Sequence, residues 1–160
     1  MATNLHNVVR NFRWRLESLA PHTSTTSKKF HHIDPLRIDP SSATGLERGF
    51  SVTWVGAGGE VYPTDMYARD ADHEIEVAVY YPVGDDGYSL EAVMDLICRD
   101  RHDIAKALRD PDNHKGYSDT QAATDIGLQN RVLSTSVLER DETLWTLLLT
   151  YTCFVREVEQ

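Results

Sequence analysis

The C-terminal segment of the chain predicts one unusually long β-hairpin. It rises from Arg131 to Arg140, turns at Asp141-Glu142 and returns from Thr143 to Arg156. Apolar residues occupy every second position of the return strand, which indicates a half-buried strand: Trp145, Leu147, Leu149, Tyr151, Cys153 and Val155. At about 3.3 Å per residue this strand spans roughly 46 Å, whereas a usual strand has about five or six residues. A domain of this size is hardly wider than that, so we expect part of the hairpin to lie on another subunit.

Length and composition predict a soluble single domain, residues 1–160, made in a cytosol. A chain of 160 residues buries about two-thirds of its unfolded surface. It contains neither a run of apolar residues long enough to cross a membrane nor an N-terminal pattern typical of a secretory signal. Cys98 and Cys153 fall in a predicted helix and a predicted strand, so we expect two reduced thiols in the core.

The net charge restricts the partners of the chain. A formal charge of −9 with scattered basic residues argues against binding to a phosphate backbone, which requires clustered Lys and Arg. Acidity has one use beside a nucleic acid, because a wall that DNA slides past should repel phosphate.

Hydrophobic periodicity and turn residues give the order of the other elements. A first helix, from Asn4 to Ser18, and a longer one, from Ser89 to Leu108, each carry one apolar stripe. The loops at about 22–48 and 110–124 are polar, and we expect the second to be mobile. The predicted strands before the hairpin are a short one over Lys29–Ile33, one over Phe50–Val55 that Gly56–Gly59 ends, and one over His73–Tyr81.

This order predicts an α+β fold: a mostly antiparallel β-sheet with two main helices packed on one face and a long C-terminal β-hairpin. The passage from the strand at His73 through the longer helix to Arg131 is also compatible with two parallel strands joined by a right-handed crossover. The sheet is therefore either antiparallel or mixed.

Catalytic chemistry finds little support in the sequence. Gly56–Gly59 is followed by Glu60 and a strand-like segment rather than by the Lys, hydroxyl and helix that a phosphate loop requires. A Gly-x-Ser-x-Gly elbow is absent. Two clusters are weak candidates for metal ligands. The first is His31, His32 and Asp34, and the second is Asp70, Asp72, His73 and Glu74. Neighbouring residues of a strand point to opposite faces, so adjacent side chains cannot readily bind one ion. We therefore predict no enzyme activity, no cofactor and no metal.

Tyrosines in the middle third of the chain indicate a contact surface. Tyr and Trp are enriched at interfaces because they bury a large area and keep a polar group. We expect Tyr62, Tyr67 and Tyr80 to lie at a subunit contact.

Several segments, taken together, resemble the tail terminator (tail completion) proteins of tailed bacteriophages. They are the run Gly-Phe-Ser-Val-Thr-Trp-Val-Gly-Ala-Gly-Gly-Glu-Val-Tyr-Pro, the strand His73–Tyr81, the longer helix and the hairpin over Asn130–Arg156. The resemblance implies a structural virion protein without catalytic residues. Such a protein forms a ring, expected to be a hexamer, on the head-proximal end of a finished tail tube. It is assembled in the bacterial cytoplasm, stops tube growth and joins the tail to head connector proteins, while DNA passes through without specific binding.

This resemblance implies partners for the hairpin turn. The long return strand serves the domain's own core, so we expect Arg140, Asp141 and Glu142 to contact a neighbour. Another neck or tail-tube protein remains an alternative. So do a small metal-dependent enzyme that uses the histidine and aspartate clusters, and a monomeric binding module.

Overall fold

The computed structural model describes residues 4–20, 29–34, 46–61, 68–82, 90–142 and 144–158. Two α-helices, α1 and α2, and five strands, β1–β5, are defined, together with two short 3-10 helices between α2 and β4. In chain order the bounds are α1 Asn4–Glu17, β1 His31–His32, β2 Gly49–Val61, β3 Ala68–Pro82, α2 Leu90–Arg109, 3-10 helices Pro111–His114 and Asp119–Gln121, β4 Leu128–Arg140 and β5 Leu144–Val158.

The strands form one open, mixed sheet in the order β1-β2-β3-β5-β4. β1 runs parallel to β2, and every other neighbouring pair is antiparallel. Because β5 lies between β3 and β4 and is antiparallel to both, the two strands that flank α2 point in the same direction. The α+β prediction is confirmed. Of the two arrangements left open by the sequence, the sheet is mixed, and β3 and β4 on either side of α2 are parallel without being neighbours.

Both helices cover the same face of the sheet. Val8, Phe12 and Leu16 recur every four residues on α1 and are fully buried. The Phe12 ring meets the edge of Tyr151 on β5 at 5.4 Å between centroids. From α2, the Arg101 guanidinium donates to the Ser136 hydroxyl on β4 at 2.8 Å. The alternating residues of β3 and β5 on that face complete the core: Ile75, Val77, Val79 and Tyr81 with Leu147, Leu149, Tyr151, Cys153 and Val155.

The glycine run does not end β2, contrary to the prediction. β2 continues to Val61 and stays paired with β3. Register shifts between Trp54 and Gly56 and between Gly58 and Val61 absorb the irregularity. Bulges let a strand carry extra residues without losing its partner, so the run bends β2 where the sequence suggested a turn.

The polar segment after α2, predicted to be a mobile loop, contains two short 3-10 helices and is hydrogen-bonded to α1. The Asn11 amide nitrogen donates to the carbonyls of Asn113 and Gly116, at 3.1 and 2.8 Å. Its oxygen accepts from Arg131 at 2.8 Å. Gly116 has φ of 76°, and a Cβ there would lie 2.7 Å from Ala122. These hydrogen bonds and the left-handed glycine fix the segment.

The length of the hairpin does not by itself require another subunit. β5 pairs with β3 from Val158 to Leu144 and with β4 from Val155 to Trp145. Strands of similar length inside the same chain therefore accommodate it. The last strand of the sequence is a central strand of the sheet.

A buried ion pair links α2 to the sheet. Asp100 occupies a core-facing position of α2, and its carboxylate accepts from Arg48 Nε at 3.0 Å, from Arg48 Nη2 at 2.8 Å and from the Tyr81 hydroxyl at 2.8 Å. Both charged side chains are fully buried. Arg48 has φ of 58°, a left-handed conformation that is unfavourable for a residue with a Cβ. Burial and the adjacent Asp100 charge raise the pKa of Tyr81, so its hydroxyl stays a donor.

Removing one partner of this pair should destabilise the fold severely. Asp100→Ala removes both hydrogen bonds that its carboxylate accepts from the buried Arg48 guanidinium, and the expected loss is about 3–5 kcal/mol of unfolding free energy. The control is Asp95→Ala, which breaks the half-exposed Asp95–Arg99 pair on the same helix and should cost less than about 1 kcal/mol. Urea denaturation measures both, and equal losses would contradict the role given to Asp100.

Candidate assembly surface

The face of the sheet opposite the helices carries a two-dimensional array of polar side chains. We call it the open face, because no described helix covers it. Thr150, Thr152 and Thr146 alternate along β5 with the buried core residues. The Ser134 hydroxyl on β4 contacts that of Thr152 at 2.6 Å. From β2 to β4, other described members of this face include Ser51, Thr53, Asp72, Glu74, Glu76, Ala78, Tyr80, Leu148, Phe154, Arg156, Asn130, Val132, Thr135, Val137 and Glu139.

Carboxylates dominate the charge of the open face. Glu74 and Glu76 lie in the middle of β3, and Glu74 is exposed. Exposed Asp72 extends this row, and Glu139 adds a fourth carboxylate on β4. Arg156, at one end, is the basic residue described on this face. A surface with this charge repels phosphate groups at short range.

Two strands have an open side in the described sheet: β4 is an outer strand, and β2 is open beyond Phe50, where its pairing with β1 ends. Natural sheets protect exposed edges with charged residues, proline or bulges. Each of these strands has a bulge, but segments 51–58 of β2 and 132–138 of β4 contain neither charge nor proline. The exposed large apolar side chains of the described chain are Trp54 at 49%, Val55 at 54%, Val132 at 52%, Val137 at 47% and Leu90. All except Leu90 lie in these two segments.

The hairpin turn is compact and closed by its own hydrogen bonds. The Asp141 carboxylate accepts from the Leu144 amide at 2.7 Å, and the Asp141 amide donates to the Leu144 carbonyl at 3.0 Å. The Arg140 guanidinium lies over the Trp145 ring, 4.9 Å from its centroid. Asp141 and Glu142 are exposed. The carboxylate of Asp141 is thus engaged in the turn, while Glu142 extends the acidic surface.

The predicted contact residues that are described gather at one end of the sheet, although they do not share a face. Tyr80 on β3 pairs with Thr146 on β5. The next residue of β5, Trp145, pairs with Arg140 on β4. Tyr80 is half-buried on the open face, with its hydroxyl 3.2 Å from Ser51 Oγ. Arg140 points to the helix side. Tyr62 and Tyr67 fall outside the described residues.

The histidine and aspartate clusters do not converge on a metal position within the described ranges. Among the residues that the structure describes, no three His, Cys, Asp or Glu side chains come together in an arrangement that could hold a metal ion. The His32 ring packs against Phe50 at 5.7 Å between centroids. His73 is buried, and its Nδ1 accepts a hydrogen bond from the Trp54 indole at 3.3 Å.

Sequence reasoning missed the ion pair of Arg48 and Asp100 as well as the two unprotected edges. An aspartate inside the apolar stripe of α2, between Ile97 and Ile104, was the available signal for the pair. For the edges, the signal was two uncharged segments in a chain with 26% charged residues. It became interpretable only once the strand order placed both segments at the outside of the sheet.

The two cysteines differ in environment, which corrects the expectation of two core thiols. Cys98 is exposed on α2, and Cys153 is buried on β5. Burial raises the pKa of the Cys153 thiol to about 12, against a smaller opposing effect of Arg131. Since the thiolate is the reactive form, Cys153 is inert at neutral pH.

Alkylation should therefore distinguish the thiols. At pH 8, iodoacetamide is expected to modify Cys98 and to leave Cys153 unmodified until the protein is denatured, as peptide mass spectrometry would show. The Cys98→Ser variant should take up no label in the folded state. Rapid labelling of Cys153 in that folded variant would contradict the burial of β5.

Sequence similarity does not assign the chain to a family. A scan against protein-family models found no match, and a search of curated proteins found no similar sequence. Within the described residues, no helix is long and apolar enough to cross a membrane. The function of the chain is therefore argued from the geometry of its sheet.

Proposed function

We propose that the chain is a structural subunit of a bacteriophage tail, a tail terminator. Copies form a ring, a hexamer, on the head-proximal end of the tail tube. The ring occupies the surface to which the next tube subunits would add, so elongation stops. Its opposite surface then receives the head connector proteins. Neither catalysis nor a cofactor is part of this function.

The observation that carries the proposal is the one-sided sheet with an acidic open face. Helices occupy one face, so a ring built from such sheets can turn the other face to its channel. The row of Asp72, Glu74 and Glu76 would then line that channel together with Glu139. Repulsion between these carboxylates and phosphate keeps DNA from binding to the wall during passage.

The sheet edges supply the second requirement of a ring. In a cyclic ring every contact is heterologous, so two different surfaces of one subunit must be adhesive. β2 and β4 lie on opposite sides of the sheet, and each exposes an uncharged apolar segment. This arrangement supports a ring subunit better than it supports a monomeric binding module.

The end of the sheet that carries the hairpin turn is the proposed contact with the tube or the connector. Exposed Glu142, Asp141 of the turn and Tyr80 are close to one another in the register. Hydrogen bonds between Asp141 and Leu144 close this turn, and a surface that is already ordered loses little entropy on docking. Another neck or tail-tube protein is the second candidate, because it would also need a ring and an acidic channel.

Binding to tube ends tests the proposal directly. Tail tubes of the corresponding phage, incubated with the protein, should show extra density at one end by negative-stain imaging and should no longer elongate. Glu142→Lys should weaken this binding on the order of tenfold, because it reverses an exposed charge at the contact and leaves the turn hydrogen bonds intact. Glu91→Lys, exposed on α2, is the matched control. Protein that neither binds tube ends nor stops elongation would refute the capping function, and density along the tube walls would favour a tube protein.

The acidic channel predicts a specific gain of DNA binding. Glu74→Lys with Glu76→Lys should create a basic strip on the open face and produce salt-dependent affinity for duplex DNA, which the wild type lacks. Fluorescence anisotropy at several salt concentrations measures the change. Glu91→Lys with Asp95→Lys makes the same charge change on α2, outside the open face. Equal DNA affinity in both double variants would show that the position of the carboxylates does not matter.

A further inference from the structure

We infer that copies of this chain join by strand pairing, with β4 of one copy adding to the free edge of β2 of the next. This inference rests on the proposed ring and specifies how the ring closes. The occupant of each sheet edge is therefore a second copy of the same chain.

The distribution of charge along the sheet is the first support. Charged side chains concentrate on β3, an interior strand, where Asp72, Glu74 and Glu76 face outward. Segments 51–58 and 132–138, along the open sides of the described sheet, carry none. Protected edges show the reverse distribution, with charges on the outer strands. Long uncharged strands with free backbone groups are templates for pairing with another chain.

The direction of the strands is the second support. Three successive antiparallel pairings, β2 with β3, β3 with β5 and β5 with β4, make β4 antiparallel to β2. Rotation of a copy about an axis along the strands preserves strand direction. It therefore places the β2 of the next copy antiparallel to β4, and antiparallel pairing is the slightly more stable kind per residue. The two edges are thus complementary without any change of fold.

The access to each edge is the third support. β1 pairs with β2 at Gly49 and Phe50, and no described segment pairs with the far side of β2 beyond these positions. β4 has β5 on one side and no described strand on the other. Along these two open sides, the backbone groups of β2 beyond Phe50 and of β4 therefore have no described partner strand.

The dimensions agree with a channel for DNA. Four strands at about 4.8 Å give each copy roughly 19 Å of circumference, and six copies then enclose a channel roughly 37 Å across between backbones. The bulges in β2 and β4 add twist and curvature at the edges, which a closed sheet requires. The helices lie on the outside of such a ring.

Two variants with one blocked edge each provide the test. Val132→Lys with Val137→Lys places charges on β4, and Val55→Lys with Ala57→Lys does so on β2. All four positions are exposed, so circular dichroism should show unchanged secondary structure. Leu90→Lys with Cys98→Lys is the control, because both residues are exposed on α2. Should a lysine variant fail to fold, threonine at the same positions replaces it.

Native mass spectrometry and sedimentation velocity should then give a distinctive pattern. The wild type and the control form species larger than a dimer, and each blocked variant alone is monomeric. An equimolar mixture of the two blocked variants forms a one-to-one heterodimer and nothing larger, because one intact β4 edge meets one intact β2 edge.

Three outcomes would overturn the inference. They are a wild type that stays monomeric at every concentration, a β2-blocked variant that still forms homodimers, and a control that loses assembly to the same extent. Failure of the proposed function is distinguishable from these. Rings that form through these edges but ignore tail tubes would refute capping alone, whereas tube binding by both blocked variants would refute the strand pairing alone.

Discussion

The interior position of β5, between β3 and β4, is the constraint on which the rest of the structure depends. The last strand of the chain inserts between β3 and β4, so the sheet is complete only when the C-terminal segment is in place. Its odd-numbered residues, from Leu147 to Val155, form the centre of the core beneath α1. Its even-numbered residues, three threonines with Leu148, Phe154 and Arg156, are its part of the open face. One period-two pattern thus produces a face that the helices cover and a face that no described helix covers.

Buried charges and exposed charges lie in different parts of the molecule and have different roles. The pair of Arg48 and Asp100 is fully buried and ties α2 to the sheet, and Arg131 is held by Asn11 and the carbonyl of Leu108. Buried ion pairs add little net stability compared with apolar packing, but they are costly to break and specify one arrangement. The exposed carboxylates of β3 lie on the other face, where they remain hydrated and repel phosphate.

The sequence predicted those parts of the fold that follow from local periodicity. The stripes of α1 and α2 and the alternation of β3 and β5 depend on neighbours along the chain, and the structure confirms them. Three details depended on tertiary context: the bulges that carry β2 past Gly56, the bonds from Asn11 that fix the segment around Gly116, and the exposure of Cys98. The hairpin length suggested a second subunit, but β3 provides an equally long partner. Contacts between copies of the chain remain a prediction. We place them at the edges of the sheet, on β2 and β4, and not along the hairpin.

The structure of a capped tail tube, determined by electron cryo-microscopy, would test the proposed ring most directly. We predict a ring in which the sheet is continuous from β4 of each copy to β2 of the next. The open face, with Glu74 and Glu76, should line the channel, and α1 and α2 should lie outside. A ring whose channel is lined by helices, or whose copies meet without strand pairing, would contradict this arrangement.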